Sequence, residues 1–227
     1  RRYVADNQDQ SVVTDDLRAA FEAVSGQDLG RFFEQWLYSA GFPEFEWSWS
    51  WAAGRVRVDV AQVQDAAGVP SVFETPVDIE VRTEEGSTVQ RVLLDSRRQR
   101  FEFPAPERPL WVQFDRFGWI PKAERVERPL EEWLAIASQD EDVNARRDAL
   151  GVLGSAALSG TAEERRHLTL ALIERLVEDP SRHVRRLAAE KLAGIRVPAA
   201  LRALRGAAQG HPQAAARGAA LPPRPPR

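Results

Sequence analysis

The sequence predicts a multidomain chain of α and β parts: a helical pair over residues 1–43, an antiparallel β-sandwich over 44–121, an α-solenoid of helical repeats over 122–221 and a proline-rich tail over 222–227. Three observations predict it. Apolar residues in the first part recur every three or four positions, as on one face of a helix. In the second they alternate with polar residues in short runs separated by Gly and Pro, as in strands. In the third a pattern of roughly 40 residues repeats, as in stacked helical hairpins.

In the first part Thr14 is the expected N-cap of a helix, and Asp15 and Asp16 place negative charge where the helix dipole favours it. Leu17, Phe21 and Val24 share a face, and Ser25-Gly26 ends the helix. A second helix follows Gln27-Asp28. Its Leu29, Phe32, Phe33, Trp36, Leu37 and Ala40 form a broad apolar stripe, and Gly41 and Pro43 stop it. Two short helices bury too little surface to stand alone. Phe32, Phe33, Trp36 and Leu37 are therefore expected at an interdomain contact.

In the second part Trp47, Trp49 and Trp51 alternate with Ser48 and Ser50, and Val56, Val58 and Val60 alternate with Arg57 and Asp59. Val77, Ile79 and Val81 repeat the pattern, followed by Val89 to Leu94, Phe101 to Phe103 and Leu110 to Phe114. A period of two puts successive side chains on opposite faces of a sheet. The Trp stripe reads as core or interdomain surface rather than as a carbohydrate platform.

In the third part Asp140, Arg146, Ala149 and Leu153 match Asp179, Arg185, Ala188 and Leu192, each 39 residues on. A weaker copy begins at His211-Pro212, with Arg217 and Ala220. The Asp is expected to cap the second helix of each hairpin, and the Arg to reach the neighbouring copy's Asp. Asp140, Arg146, Asp179 and Arg185 thus form a predicted ladder between repeats.

The 31 Lys and Arg are set against 34 Asp and Glu, mixed along the chain, and give a net charge of −3. No basic face is apparent, so no nucleic-acid partner is expected. No apolar run approaches the ~20 residues of a membrane span, so no membrane partner is expected either. Cys is absent, which removes disulfides, thiolate nucleophiles and Cys-ligated zinc and suits the cytoplasm or the periplasm. The chain starts with Arg1 and has no Met, so it reads as a mature product or a piece of a longer protein.

Catalytic patterns are missing. His167, His183 and His211 do not lie one helical turn apart, and Glu163-Glu164-Arg165-Arg166-His167 has no second His. There is no G-x-S-x-G elbow. Gly151-Val152-Leu153-Gly154 falls in an apolar helix and reads as close packing. Glu84-Glu85, Glu131-Glu132 and Glu163-Glu164 read as solvated charges. No catalytic residue, no metal ligand and no cofactor is assigned to this chain.

The order Val13-Thr14-Asp15-Asp16-Leu17, Ser25-Gly26-Gln27-Asp28-Leu29, Phe32-Phe33-Glu34-Gln35-Trp36-Leu37 and Gly41-Phe42-Pro43 resembles the end of the catalytic domain in aminopeptidase N-like gluzincins. The family's following segments are similar to Val58 to Gln64 with its glutamines, to Phe73-Glu74-Thr75-Pro76-Val77 and to Asp115. The resemblance implies a β-sandwich followed, in some members, by HEAT-like repeats. The family's H-E-x-x-H with its downstream Glu, its Gly-rich exopeptidase strand and its catalytic Tyr lie upstream in members and are absent here. Neither Tyr3 nor Tyr38 matches the catalytic Tyr. The resemblance therefore implies the non-catalytic C-terminal portion of a zinc-dependent aminopeptidase. Its zinc would belong to the parent protein, its partner would be the missing upstream catalytic domain, and its substrate would be a peptide. The alternative is a stand-alone HEAT-repeat scaffold that binds a peptide or protein partner.

Overall fold

A computed structural model describes residues 1–209. The expected third repeat copy from His211, and the proline-rich tail, lie outside these residues. The chain opens with α1 (Arg2–Asp6), α2 (Thr14–Ser25) and α3 (Gly30–Phe33), the last continuing into one π-helical turn over Glu34–Tyr38. Seven strands follow: β1 (Glu44–Ala52), β2 (Arg55–Gln62), β3 (Thr75–Thr83), β4 (Gly86–Leu94), β5 (Arg98–Pro104), β6 (Trp111–Phe114) and β7 (Ala123–Val126). Five helices complete the described residues: α4 (Leu130–Gln139), α5 (Val143–Ser159), α6 (Ala162–Glu178), α7 (Arg182–Gly194) and α8 (Pro198–Ala208).

The strands form two small sheets, one ordered β5-β2-β1-β7 and one ordered β4-β3-β6. The alternation read from sequence sets the faces of the first. Trp47 lies opposite Val60, Trp49 opposite Val58 and Trp51 opposite Val56 in an antiparallel register. Phe45, Trp47, Val56, Val58 and Val60 are buried, while Ser48 and Ser50 on the other face are exposed. Trp47 stacks on Phe114 with ring centroids 5.7 Å apart, and Phe45 meets the same ring edge-on at 5.0 Å. Each such side chain contributes about 1.5–3 kcal/mol by leaving water. Trp51 keeps its indole N–H satisfied by donating to the Ala105 carbonyl at 2.8 Å.

The expected antiparallel sandwich followed by a HEAT-like solenoid is not what forms; the chain is an α/β protein. Two findings overturn the expectation. First, β7 pairs with β1 in parallel, Glu44 opposite Ala123 and Trp47 opposite Val126, so the four-stranded sheet is mixed. Alternation reports that a segment is a strand and which face it buries; it carries no information on pairing direction. β7 itself, Ala-Glu-Arg-Val, has no buried residue to mark it and falls in sequence read as the start of the helical repeats.

Second, the helices do not make a unit of their own. One compact unit comprises Arg1–Glu80, Val89–Glu107 and Phe114–Val126; the other joins Val81–Thr88 and Arg108–Gln113 to the residues from Glu127 on. Within this second unit Trp111 of β6 belongs to the same buried cluster as Ile136, Leu150, Leu153, Leu172 and Leu192. A solenoid closes its core with helices alone; this core is closed partly by a strand.

One charge pair in the β4-β3-β6 sheet gives a pH signature. Arg91 donates from Nε to Asp78 Oδ1 at 2.7 Å and from Nη2 to Oδ2 at 2.8 Å. The hydrogen bonding and charge of Arg91 hold the Asp78 carboxyl below its ordinary value. A depressed carboxylate stabilises the fold above its unfolded pKa of about 4, and that contribution fades as pH falls through the folded value. Asp78→Asn is therefore expected to lower the urea midpoint only slightly at pH 7, because its partner is so exposed. The gap between variant and parent closes in strongly acidic buffer; a gap independent of pH would assign it to something other than the ion pair.

Candidate functional site

Nine of the sixteen large apolar side chains that stand exposed among the described residues belong to residues 1–42. That share, from a fifth of the described chain, marks this segment as the principal candidate for an interaction face. Its local structure explains which side chains turn outward. α2 begins at Thr14 with Val13, not Thr14, in the cap position, and the Asp16 carboxylate accepts the Val13 N–H at 2.8 Å. Gly26, at φ +69°, ends the helix. α3 runs into the π-helical turn, which changes the angular spacing of the stripe read from sequence. Phe33 is buried and Trp36 half-buried, with Trp36 5.1 Å from the Phe73 ring, whereas Phe32 and Leu37 are exposed. The four residues expected at an interdomain contact thus divide into an inward pair and an outward pair. Phe21, Val24, Tyr38 and Phe42 are exposed as well.

Gln35 fixes this segment to the residues that lead into β3, and two glutamines at the end of β2 and just beyond it hold the same stretch from the other side. Gln35, buried, donates to the Glu74 carbonyl at 2.6 Å and accepts the Glu74 N–H at 2.9 Å. Gln62 treats the preceding residue in the same way: it accepts the Phe73 N–H at 2.8 Å and donates to the Phe73 carbonyl at 3.0 Å. Gln64 donates to the Pro70 carbonyl at 3.1 Å and accepts the Glu44 N–H at 3.1 Å. The amide side chains replace ladder partners for residues 73 and 74, whose backbone groups would otherwise be buried unpaired. Arg31 adds an ion pair to Glu74 at 2.7 Å. At the exit, Gly41 has φ +76°, and a Cβ there would come within 2.7 Å of Val69. The turn that delivers the chain into β1 therefore needs glycine.

A second cluster of exposed aromatic side chains lies in the β6–β7 loop, where Phe117 is 53% and Trp119 76% exposed. Sequence reasoning passed over both. The available signal was Asp115 and Gly118 bracketing a turn that has aromatic residues in and just after it.

The predicted ladder residues lie within the helical unit. Arg146 donates from Nε to Asp179 Oδ2 at 2.8 Å and from Nη2 to Oδ1 at 3.1 Å, and all four of these atoms are buried. Its Nη1 donates to the Asp140 and Glu141 carbonyls at 2.7 and 3.1 Å. Thirty-nine residues on, Arg185 Nη1 donates to the Asp179 and Pro180 carbonyls at 2.7 and 3.0 Å. Asp140 and Asp179 do not cap the following helices. They end α4 and α6, and each accepts an N–H two residues on at 2.8 Å; Asp142 and Ser181 are the N-caps of α5 and α7. Gly154 packs against the Lys191 stem, where a Cβ would meet carbon atoms at 2.7–3.0 Å, and this closeness accounts for the glycine in α5.

Among the described residues no three His, Cys, Asp or Glu side chains gather as a metal ion requires. His167 and His183 sit on α6 and α7 and are exposed. No described helix is long and apolar enough to cross a membrane.

The class these features define is an α/β protein with an exposed apolar segment at its start and no cluster of metal-ligating side chains among the described residues. No family model matches the chain, and no curated protein matches it. The fold is similar to that of Legionella pneumophila aminopeptidase A, solved in complex with aspartic acid: TM-score 0.64 at 15% identity, over 89% of this chain. This chain spans 24% of the length of that one.

Proposed function

We propose that this chain is a non-catalytic C-terminal portion of a zinc-dependent aminopeptidase that removes N-terminal residues from peptides. The observation that carries the reading is the fold shared, over nearly the whole chain, with a quarter of an aminopeptidase. The sequence of residues 13–43 supports it, since it resembles the end of a gluzincin catalytic domain. So does the apolar surface exposed on those same residues, which suits packing on a further domain. Among the described residues no cluster of metal-ligating side chains forms; on this reading the zinc and the catalytic groups are those of an upstream catalytic domain. Its contribution is to hold that domain and shape access to it. The test is to express the chain together with the sequence preceding it. Release of N-terminal residues from aminoacyl reporters is expected, abolished by a chelator and restored by zinc, while the present chain alone is silent. An extended protein without chelator-sensitive activity on any aminoacyl substrate would refute the reading.

A further inference from the structure

We propose that the β6–β7 loop, presenting Phe117 and Trp119, is a docking element for the catalytic segment that precedes residue 1 in the parent protein. The inference rests on the function proposed above and extends the contact surface beyond the helices. Three observations carry it.

The loop is built to hold one shape. The Asp115 carboxylate, buried, accepts the Trp119 N–H at 3.1 Å, the Ile120 N–H at 3.0 Å and the Lys122 ammonium at 2.8 Å. Arg116, also buried, pairs with Glu80 at 3.1 Å, and its guanidinium lies 4.4 Å from the Phe117 ring centroid. Ile120 is buried just beyond.

The loop is also strained. Asp115 and Phe117 adopt φ +54° and +70°, a left-handed conformation that a bulky aromatic residue rarely takes. Strain of this kind persists only where surrounding contacts over-determine it, and it marks segments whose geometry is used. Here the contacts that impose it face inward, and the two largest side chains face water.

The place of the loop selects the occupant. β1 and β7 are parallel, and the Ala123 N–H donates to the Pro43 carbonyl at 3.1 Å. Residues before Glu44 and residues before Ala123 therefore lie at the same end of the sheet. Phe42, exposed, is at that end with the segment 1–42 behind it, and so is the loop that carries Phe117 and Trp119. The exposed side chains of residues 1–42 and of the loop thus enter the sheet at one end, where a domain packed on the helices is within reach of Phe117 and Trp119.

The test compares this chain with the extended protein, each as parent and as Trp119→Phe, a change at an exposed position that leaves the fold intact. The difference in fluorescence within each pair isolates Trp119, and acrylamide quenching of that difference reports its exposure. The expected result is ready quenching in this chain and a severalfold loss of quenching in the extended protein. Equal quenching in both overturns the inference. If that extended protein still has chelator-sensitive aminopeptidase activity, the functional reading stands and the docking element alone is wrong. Protection of Trp119 without such activity keeps the docking element and removes the aminopeptidase reading.

Discussion

Arg146→Ala is expected to lower the stability of the helical unit by about 3–5 kcal/mol, the range for removing one partner of a buried ion pair. Arg146 is 6% exposed and Asp179 2%. The substitution strips Asp179 of both Arg146 hydrogen bonds and leaves a buried carboxylate with the Ser181 N–H as a remaining partner. It also unpairs the Asp140 and Glu141 carbonyls from their shared donor. Arg182, exposed at the start of α7, is the control, and Arg182→Ala is expected to change stability by no more than about 0.5 kcal/mol. Arg185→Ala should fall between them, since Arg185 makes the same two carbonyl bonds from a half-buried position. Urea denaturation followed by the helical circular dichroism signal ranks the three. Equal small losses at 146 and 182 would mean that the ion pair does not hold the hairpins together.

This pair also shows what the sequence made legible. The 39-residue spacing drew Arg146 and Asp179 out of the sequence alone, and in the structure the two are hydrogen-bonded to each other. It did not show that the Asp ends one helix rather than starting the next. Asp is suited to both places, and the true N-caps, Asp142 and Ser181, are equally good capping residues two positions on. The strands were legible for a similar reason: Trp47-Ser48-Trp49-Ser50-Trp51 declares its faces by alternation alone. β7 was not legible, because a four-residue strand with no buried residue has no pattern to read. In the N-terminal segment the apolar stripe was visible, but the π-helical turn was not. A stripe drawn at 3.6 residues per turn assigned Phe32 and Phe33, Trp36 and Leu37 to one surface; in the structure Phe33, at the end of α3, is buried, Trp36 on the π turn is half-buried, and Phe32 and Leu37 are exposed. The glutamines at 35, 62 and 64 pair with backbone far away in sequence, and no local pattern announces such partners.

The correction to the fold has its own test, in Trp111. Trp111 is 1% exposed and lies within the buried cluster formed by the helices from α4 onward. Trp111→Ala is expected to cost about 3–5 kcal/mol, the range for truncating a large buried aromatic and leaving a cavity. Its neighbours on β6 are tied to α4 by a buried charge. Arg128 donates to the Val112 carbonyl at 2.7 Å and to Gln113 Oε1 at 3.0 Å, pairs with Glu132, and lies 5.2 Å from the Trp133 ring centroid. Losing the indole should therefore loosen the seat of α4 as well as the core. Unfolding followed by helical signal reads the effect directly, since no part of the helical signal comes from β6 itself. In a helical stack whose core is closed by its own helices, removing a strand residue would leave the helical transition nearly where it was. In the α/β arrangement the strand residue is part of the helical core, so the helical transition moves to lower denaturant by the full cost of the cavity. Trp111→Phe, which keeps an aromatic ring in place, should recover most of that loss because it refills the larger part of the void.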